Sequence, residues 1–290
     1  MSQQDSASVR PTPRARELAE RFALSSRARP RGGAAGESLG RELGSSLEFA
    51  DRRDYVAGDD LRTLDWAAYA RTDSLMVRLT TEQVAPEVHV ALDLSRSMTT
   101  ETAKAELAVD LAQTFALLAR ASSSRLVLHG LGDGHVSFEP SGLERDGAVL
   151  EARGGVGESL RAACSRAPRA ALFVVVSDFL VEVDAKTLIG PLQGRRVRPL
   201  LLQVLSEFES NPASERGVPT RLEDVEGAGE LDLVIDESAL DRYSKRLASL
   251  QSGLRAEAQR GGGEFCAVRP ASDLDKELFV PLLAAGLLDR

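Results

Sequence analysis

With 290 residues, a net charge of −8 and 43% hydrophobic residues, the chain has the composition of a globular protein and is long enough to bury a sizeable core. Residues 1–45 hold eight Arg against five Asp or Glu, which leaves −11 for the remainder; so acidic a body argues against nucleic-acid binding, and the Arg-rich leader reads as a solvated tail. No apolar run reaches the ~18 residues of a membrane span, and the opening Met-Ser-Gln-Gln-Asp lacks a signal peptide's hydrophobic region, so the expectation is a soluble cytoplasmic protein without a membrane span.

Three segments are expected: a leader over 1–45, partly disordered; a β-rich module over 46–83; and an α/β domain over 84–290. In the leader, Leu18, Ala19 and Phe22 are spaced as a short amphipathic helix over 14–24, followed by a loop over 25–35. The module carries alternating and aromatic segments: Phe49, Tyr55, Trp66, Tyr69 and Leu75-Met76-Val77-Arg78-Leu79. From Pro86 strands and helices alternate, the signature of a parallel sheet covered on both faces. A strand over 88–93 leads to a helix over 101–121 with Leu107, Leu111, Phe115 and Leu118 on one stripe. A strand over 125–131 meets Gly132-Asp133-Gly134, a hairpin signal, so 135–138 returns antiparallel. A helix over 159–166 follows a glycine-rich loop. The run over 170–176 is apolar throughout, as for a central strand buried on both faces, and it ends in Ser177-Asp178. Next come a strand over 197–205, with Pro199 tolerable only near its start, an inserted hairpin over 217–236, a helix over 238–260, a strand over 264–268 and a C-terminal helix from Ser272. The two cysteines, Cys164 and Cys266, lie 102 positions apart with no histidine beside them, and read as buried hydrophobes in a reducing compartment.

Asp93-Leu94-Ser95-Arg96-Ser97 reads D-x-S-x-S at the end of the first apolar strand. Average residue usage makes the bare pattern a chance event in roughly one protein in ten of this length, so its context carries the assignment. Open α/β sheets bind ligands at the carboxyl ends of their strands. In an extended turn residues two apart point the same way, so Ser95 and Ser97 can face one ion. Hydroxyls and carboxylates suit Mg²⁺ or Mn²⁺. A second strand ends in Asp178, and the expectation is that its carboxylate lies adjacent to Asp93 in space. The alternative is that Ser95 and Ser97 cap the following helix and that Asp178 is a loop or capping residue.

The pattern resembles the von Willebrand factor A fold, whose metal-ion-dependent adhesion site (MIDAS) uses D-x-S-x-S after the first strand and an Asp after the fourth. That resemblance implies metal ligands Asp93, Ser95, Ser97 and Asp178, with an open coordination position for a partner's carboxylate. The fold's third loop usually supplies a Thr, whereas Arg153-Gly154-Gly155-Val156-Gly157-Glu158-Ser159 has none, so Glu158 or Ser159 would stand in. A second resemblance rests on Leu47-Glu48-Phe49, Asp51-Arg52-Arg53-Asp54-Tyr55, Gly58-Asp59-Asp60-Leu61-Arg62-Thr63-Leu64-Asp65-Trp66 and Ala70-Arg71, with Leu222-Glu223-Asp224-Val225-Glu226 further on. These look like the hallmark run of the family called domain of unknown function 58. Its members are bacterial, and many accompany MoxR-type AAA+ ATPases and other von Willebrand A-like proteins, which implies an adaptor in chaperone-like assembly or metal-cofactor insertion.

Asp54, Tyr55, Asp59, Asp60, Arg62, Asp65, Trp66 and Arg71 form either a structural module or a partner-binding one. Interleaved opposite charges favour an internal salt-bridge net over a second metal cluster, and Trp66 reads as a packing anchor or, failing that, a partner surface. Gly36-Glu37-Ser38-Leu39-Gly40 satisfies the nucleophile-elbow pattern, but no buried strand precedes it. His89, His129 and His135 read as sheet residues rather than catalytic bases. The functional expectation is a non-enzymatic protein-binding adaptor that uses a metal to capture a partner's Asp or Glu. The alternatives are a metal-free scaffold binding through 51–71, and a metal-dependent hydrolase. The usual phosphatase nucleophile needs a second Asp two residues after Asp93, where Ser95 sits.

Overall fold

The computed structural model describes residues 8–25, 47–60, 62, 64–82, 87–139, 141–153, 156–169, 171–181, 183–215, 217, 219–223 and 230–290. The loop expected after Ser25, the Gly36–Gly40 pentapeptide, Gly154-Gly155 and the hairpin tip at Gly227-Ala228-Gly229 lie outside these residues. Two units emerge, residues 1–29 with 86–290 and residues 30–85. The elements run α1 (Pro13–Arg21), β1 (Ala23–Leu24), β2 (Leu47–Asp54), α2 (Trp66–Thr72), β3 (Met76–Glu82), β4 (Glu87–Asp93), α3 (Thr102–Ala121), β5 (Arg125–Gly132), β6 (Gly134–Phe138), α4 (Gly142–Asp146) and α5 (Val156–Ser165). They continue with β7 (Leu172–Ser177), α6 (Ala185–Gly194), β8 (Arg198–Val204), α7 (Glu207–Ser210), β9 (Pro219–Glu223), β10 (Glu230–Val234), α8 (Glu237–Arg260), β11 (Glu264–Val268), α9 (Val280–Ala284) and β12 (Leu288–Asp289).

The larger unit is a mixed α/β fold around a six-stranded sheet of order β11-β8-β7-β4-β5-β6, parallel except for β6. Along β4 the alternation of a pleated strand sends Val88, Val90 and Leu92 to one face and Ala91 to the other. The first face packs α1, α3 and the C-terminal Leu278, Phe279 and Leu282; the second packs α5, α6 and α8. From β4 the chain builds outward in both directions, to β5 on one side and β7 on the other. Such a reversal of strand order is where open α/β sheets in general bind ligands, at the strands' carboxyl ends.

Residues 8–25 are not a solvated tail. Thr12 donates its backbone N–H and its hydroxyl to the two carboxylate oxygens of Asp110 on α3, at 2.6 and 2.7 Å. The Phe22 ring stacks on Phe279 at 4.3 Å, and β1 pairs with β12. The expected helix over 14–24 thus stops at Arg21, because the chain turns extended to reach the C-terminus.

No element is expected between 178 and 197, yet α6 lies there. Gly190, Pro191 and Gly194 read as breakers, but Asp184 caps the helix through Thr187 N–H at 2.6 Å and Leu188, Ile189 and Leu192 are buried. The C-terminal helix expected from Ser272 is instead a π-helical turn, Asp275–Phe279, running into α9. The inserted hairpin is present as the antiparallel pair β9 and β10.

In the smaller unit β2 and β3 pair antiparallel with an irregularity between Phe49 and Asp51. The stretch read as aromatic alternation is helical: Asp65 accepts hydrogen bonds from Ala67 and Ala68 N–H and starts α2, an alanine-rich helix that carries both Trp66 and Tyr69.

Candidate functional site

The carboxyl ends of β4 and β7 carry four of the residues singled out from the sequence, Asp93, Ser95, Ser97 and Asp178. Beyond β4 the chain stays extended, because Leu94 N–H bonds Leu131 O, Ala152 N–H bonds Leu94 O and Arg96 N–H bonds Ala152 O. Asp93 and Ser95 therefore project to the same side before a 3₁₀ turn, Arg96–Thr99, carries Ser97 round. Asp93 is fully buried; one carboxylate oxygen accepts Ser95 N–H at 2.9 Å and the other accepts the Ser177 hydroxyl at 2.6 Å. The Ser95 and Ser97 hydroxyl oxygens lie 2.9 Å apart.

At the end of β7, Asp178 accepts Leu180 N–H at 3.0 Å through one oxygen and the Lys104 ammonium at 3.0 Å through the other. The turn between them is tight. Phe179 sits at φ 55°, left-handed for a residue with a side chain, and its buried ring and a hydrogen bond from its N–H to the Ser177 hydroxyl hold it there.

Lys104 joins the parts. Its ammonium, with the side chain 0% exposed, also bonds Ser97 O at 2.9 Å and Glu209 Oε1 at 2.7 Å. Glu209 is fixed by a capping box with Ser206 at the start of α7, and its backbone carbonyl accepts the Tyr243 hydroxyl from α8. Burial, then the neighbouring Asp178 charge, pushes the Asp93 carboxyl up to about 6, against the hydrogen bonds from Ser177 and Ser95 that pull it down. Burial, followed by the charges of Glu209 and Asp178, pushes the Tyr243 phenol up to about 12.

Asp93, Ser95, Ser97 and Asp178 are thus brought together. Ser177, Lys104, Ser206, Glu209 and Tyr243 belong to the same cluster, although the motif does not point to them. Two had sequence signals: Lys104 stands three positions before Leu107 on the otherwise apolar stripe of α3, and Ser206-x-x-Glu209 is a capping box. Ser159 accepts Gly132 N–H at 3.2 Å and donates to Val156 O at 3.0 Å, tying the start of α5 to β5, while Glu158 lies exposed on that helix.

Among the described residues no three His, Cys, Asp or Glu side chains converge as a metal cage. The donor set is two carboxylates and two hydroxyls, hard oxygens suited to Mg²⁺ or Mn²⁺. The Ser95 and Ser97 hydroxyls, 2.9 Å apart, hydrogen-bond to each other, and each oxygen keeps lone-pair capacity for an ion. The residues fit such an ion.

In the smaller unit, among the described residues, the expected charge net includes a bidentate pair, Arg53 with Asp59 at 2.6 and 2.7 Å. Asp59 also accepts Val56 N–H, Asp60 accepts Arg62 N–H, and Asp65 caps α2, so these carboxylates order the backbone. Asp54, Arg62 and Arg71 are exposed and Tyr55 is half-buried. Within this unit Trp66 meets Tyr69 edge-on at 6.4 Å on the side of α2 away from the buried Ala68, and is 62% exposed.

A family model described as "Protein of unknown function DUF58" matches residues 51–251, more than half of the chain. The chain belongs to the DUF58 family. Uncharacterized proteins of Mycobacterium tuberculosis and Mycobacterium bovis are each 25% identical to it over 254 residues, covering 82% of this chain and 79% of theirs. A crystal structure of an uncharacterized membrane spanning protein from Vibrio fischeri matches at 14% identity over 69% of this chain and 98% of that one, with a TM-score of 0.22, too low to argue from. Among the described residues of this DUF58 protein, no helix is long and apolar enough to cross a membrane.

Proposed function

We propose that this DUF58 protein is a non-enzymatic adaptor whose sheet unit is a von Willebrand factor A-like domain, and that Mg²⁺ or Mn²⁺ held by Asp93, Ser95, Ser97 and Asp178 captures an exposed Asp or Glu of a protein partner. The observation that carries this reading is the meeting of four hard oxygen donors, two carboxylates and two hydroxyls, where the strand order reverses. A bound ion supplies an electrophilic open position. The chain's own residues do the rest: Ser177 and the backbone of Ser95 orient Asp93, and Leu180 N–H and Lys104 orient Asp178. By the family resemblance the partners belong to a MoxR-like AAA+ ATPase system.

The test is thermal unfolding of wild type and Asp93→Ala in EDTA and in millimolar Mg²⁺ or Mn²⁺, followed by affinity capture from native lysate under both conditions. A ligand at ~100 times its Kd stabilises the native state by about 2.7 kcal/mol, or roughly 5–10 °C for a domain of this size. The expected result is a shift of that order in wild type, none in the variant, and partners recovered only with metal. Equal capture in EDTA would sink the reading.

A second reading is favoured by the exposure of Trp66 and Tyr69: a metal-free scaffold that binds through residues 51–71. It predicts capture indifferent to EDTA and lost in Trp66→Ala or Arg62→Ala.

A further inference from the structure

Lys104 is fully buried, and it is charged. Its ammonium has three protons and three oxygen acceptors: Ser97 O from the motif loop, Asp178 at the end of β7, and Glu209 on α7. Among the described residues the carboxylates and ammonium gathered here number three and one, so when all four are ionised they carry two uncompensated negative charges beside the neutral Tyr243 phenol. Buried charge left in that condition is costly. A divalent ion beside Asp93 would neutralise the surplus, but it would share Asp178 with the ammonium and stand near a like charge.

We propose that Lys104 is a built-in cation that sets the affinity of the site: it holds Asp178 and Glu209 in place when metal is absent and weakens the binding of the divalent ion when metal is present. This rests on the metal reading above and goes beyond it, because it assigns to α3 a residue that is no ligand yet decides how much metal is needed. A weak site releases its ion readily, so occupancy would follow the supply of metal and of the partner carboxylate that completes the coordination. Glu209 works in the opposite sense, adding negative charge on the far side of the ammonium.

The test is Mn²⁺ titration of the full chain followed by electron paramagnetic resonance, for wild type, Lys104→Met and Glu209→Gln, with thermal scans of each in EDTA. Both substitutions are expected to lower the stability of the metal-free protein. Their effects on Mn²⁺ must then diverge: Lys104→Met binds tighter by on the order of tenfold, since a like charge is removed from a poorly screened site, and Glu209→Gln binds more weakly. Should Lys104→Met fail to fold alone, Lys104→Met in the Glu209→Gln background is compared with Glu209→Gln, with the same tightening expected. If wild type binds Mn²⁺ and removal of the ammonium weakens binding or leaves it unchanged, Lys104 is a structural strut and the inference is overturned while the metal reading stands. If neither wild type nor any variant binds Mn²⁺, both fall.

Discussion

At the carboxyl ends of β4 and β7 the Lys104 ammonium is shared by Asp178 and Glu209, with the Asp93 carboxylate beside Asp178, whereas halfway across β4, β5 and β6 two buried imidazoles, His89 and His129, and a half-buried one, His135, form a row. His89 Nδ1 lies 2.7 Å from His129 Nε2, His129 Nδ1 lies 2.7 Å from His135 Nε2, and the row ends at Glu87 Oε1, 3.0 Å from His89 Nε2, and at the Arg166 guanidinium on His135 Nδ1. A guanidinium only donates, so His135 Nδ1 must accept; each ring then carries its proton on Nε2 and passes it toward the next, down to the Glu87 carboxylate. Phe173 stacks beneath His89 and His129 at 5.2 and 5.7 Å. Every donor has an acceptor with all three rings neutral, so the row asks for no ligand. The carboxylate cluster differs: its charges do not balance and it lies on loops at strand ends, where backbone geometry can serve a ligand. The contrast separates polar residues that complete a sheet from polar residues that form a site.

The strongest way to break this comparison is to remove the one cation from the charged cluster. In EDTA, Lys104→Met should cost about 3–5 kcal/mol, the usual penalty for leaving the partners of a buried ion pair uncompensated, read as a fall in denaturant midpoint at unchanged slope. A loss under 1 kcal/mol would mean that Asp178 and Glu209 are solvated and that the cluster is not the tightly buried one described.

The imidazole row should instead respond to pH. Burial holds His129 down to about 3, and lowers His89 and His135 as well. The unfolded chain therefore binds protons that the native state refuses. Stability is complete above the unfolded value near 6.5 and falls as pH drops from there toward 3. At pH 5, His129 alone should lower stability by about 2 kcal/mol relative to neutral pH. Denaturation of wild type against His129→Gln from pH 4 to 8 isolates this residue, because Asp93, whose raised carboxyl acts in the opposite sense, is common to both proteins. Parallel curves would show that His129 is protonated without penalty.

How legible these regions were depends on whether the pattern is local. The strand and helix order from 87 to 138, the antiparallel return of β6 and the pairing of Asp93 with Asp178 follow from hydrophobic period, one Gly-Asp-Gly turn and two strand ends. Helix α6 was hidden because its breakers, Gly190, Pro191 and Gly194, are tolerated once Leu188, Ile189 and Leu192 are buried. The Thr12 clasp on Asp110 and the meeting of Glu209 with Lys104 join residues about a hundred positions apart, and no short-range pattern encodes such contacts. The reading of 46–83 as β-rich missed α2, although the three-residue spacing of Trp66 and Tyr69 is that of one helix face, because the side that packs is alanine and gives no apolar stripe.

The smallest effect concerns the direction of the imidazole row. Arg166 is exposed and caps one end, so Arg166→Ala should change stability by no more than about 0.5 kcal/mol. What it removes is the group that forces His135 Nδ1 to accept. In long-range nitrogen–proton correlation spectra, wild type should show all three rings as the Nε2–H tautomer, and the variant should gain an Nδ1–H population at His135. Since His129 Nδ1 can accept only from a protonated His135 Nε2, that change should propagate inward and loosen the His129 assignment as well. A variant that keeps the wild-type tautomers would put the source of direction at the Glu87 end, where the carboxylate accepts from His89 and is fixed by the sheet.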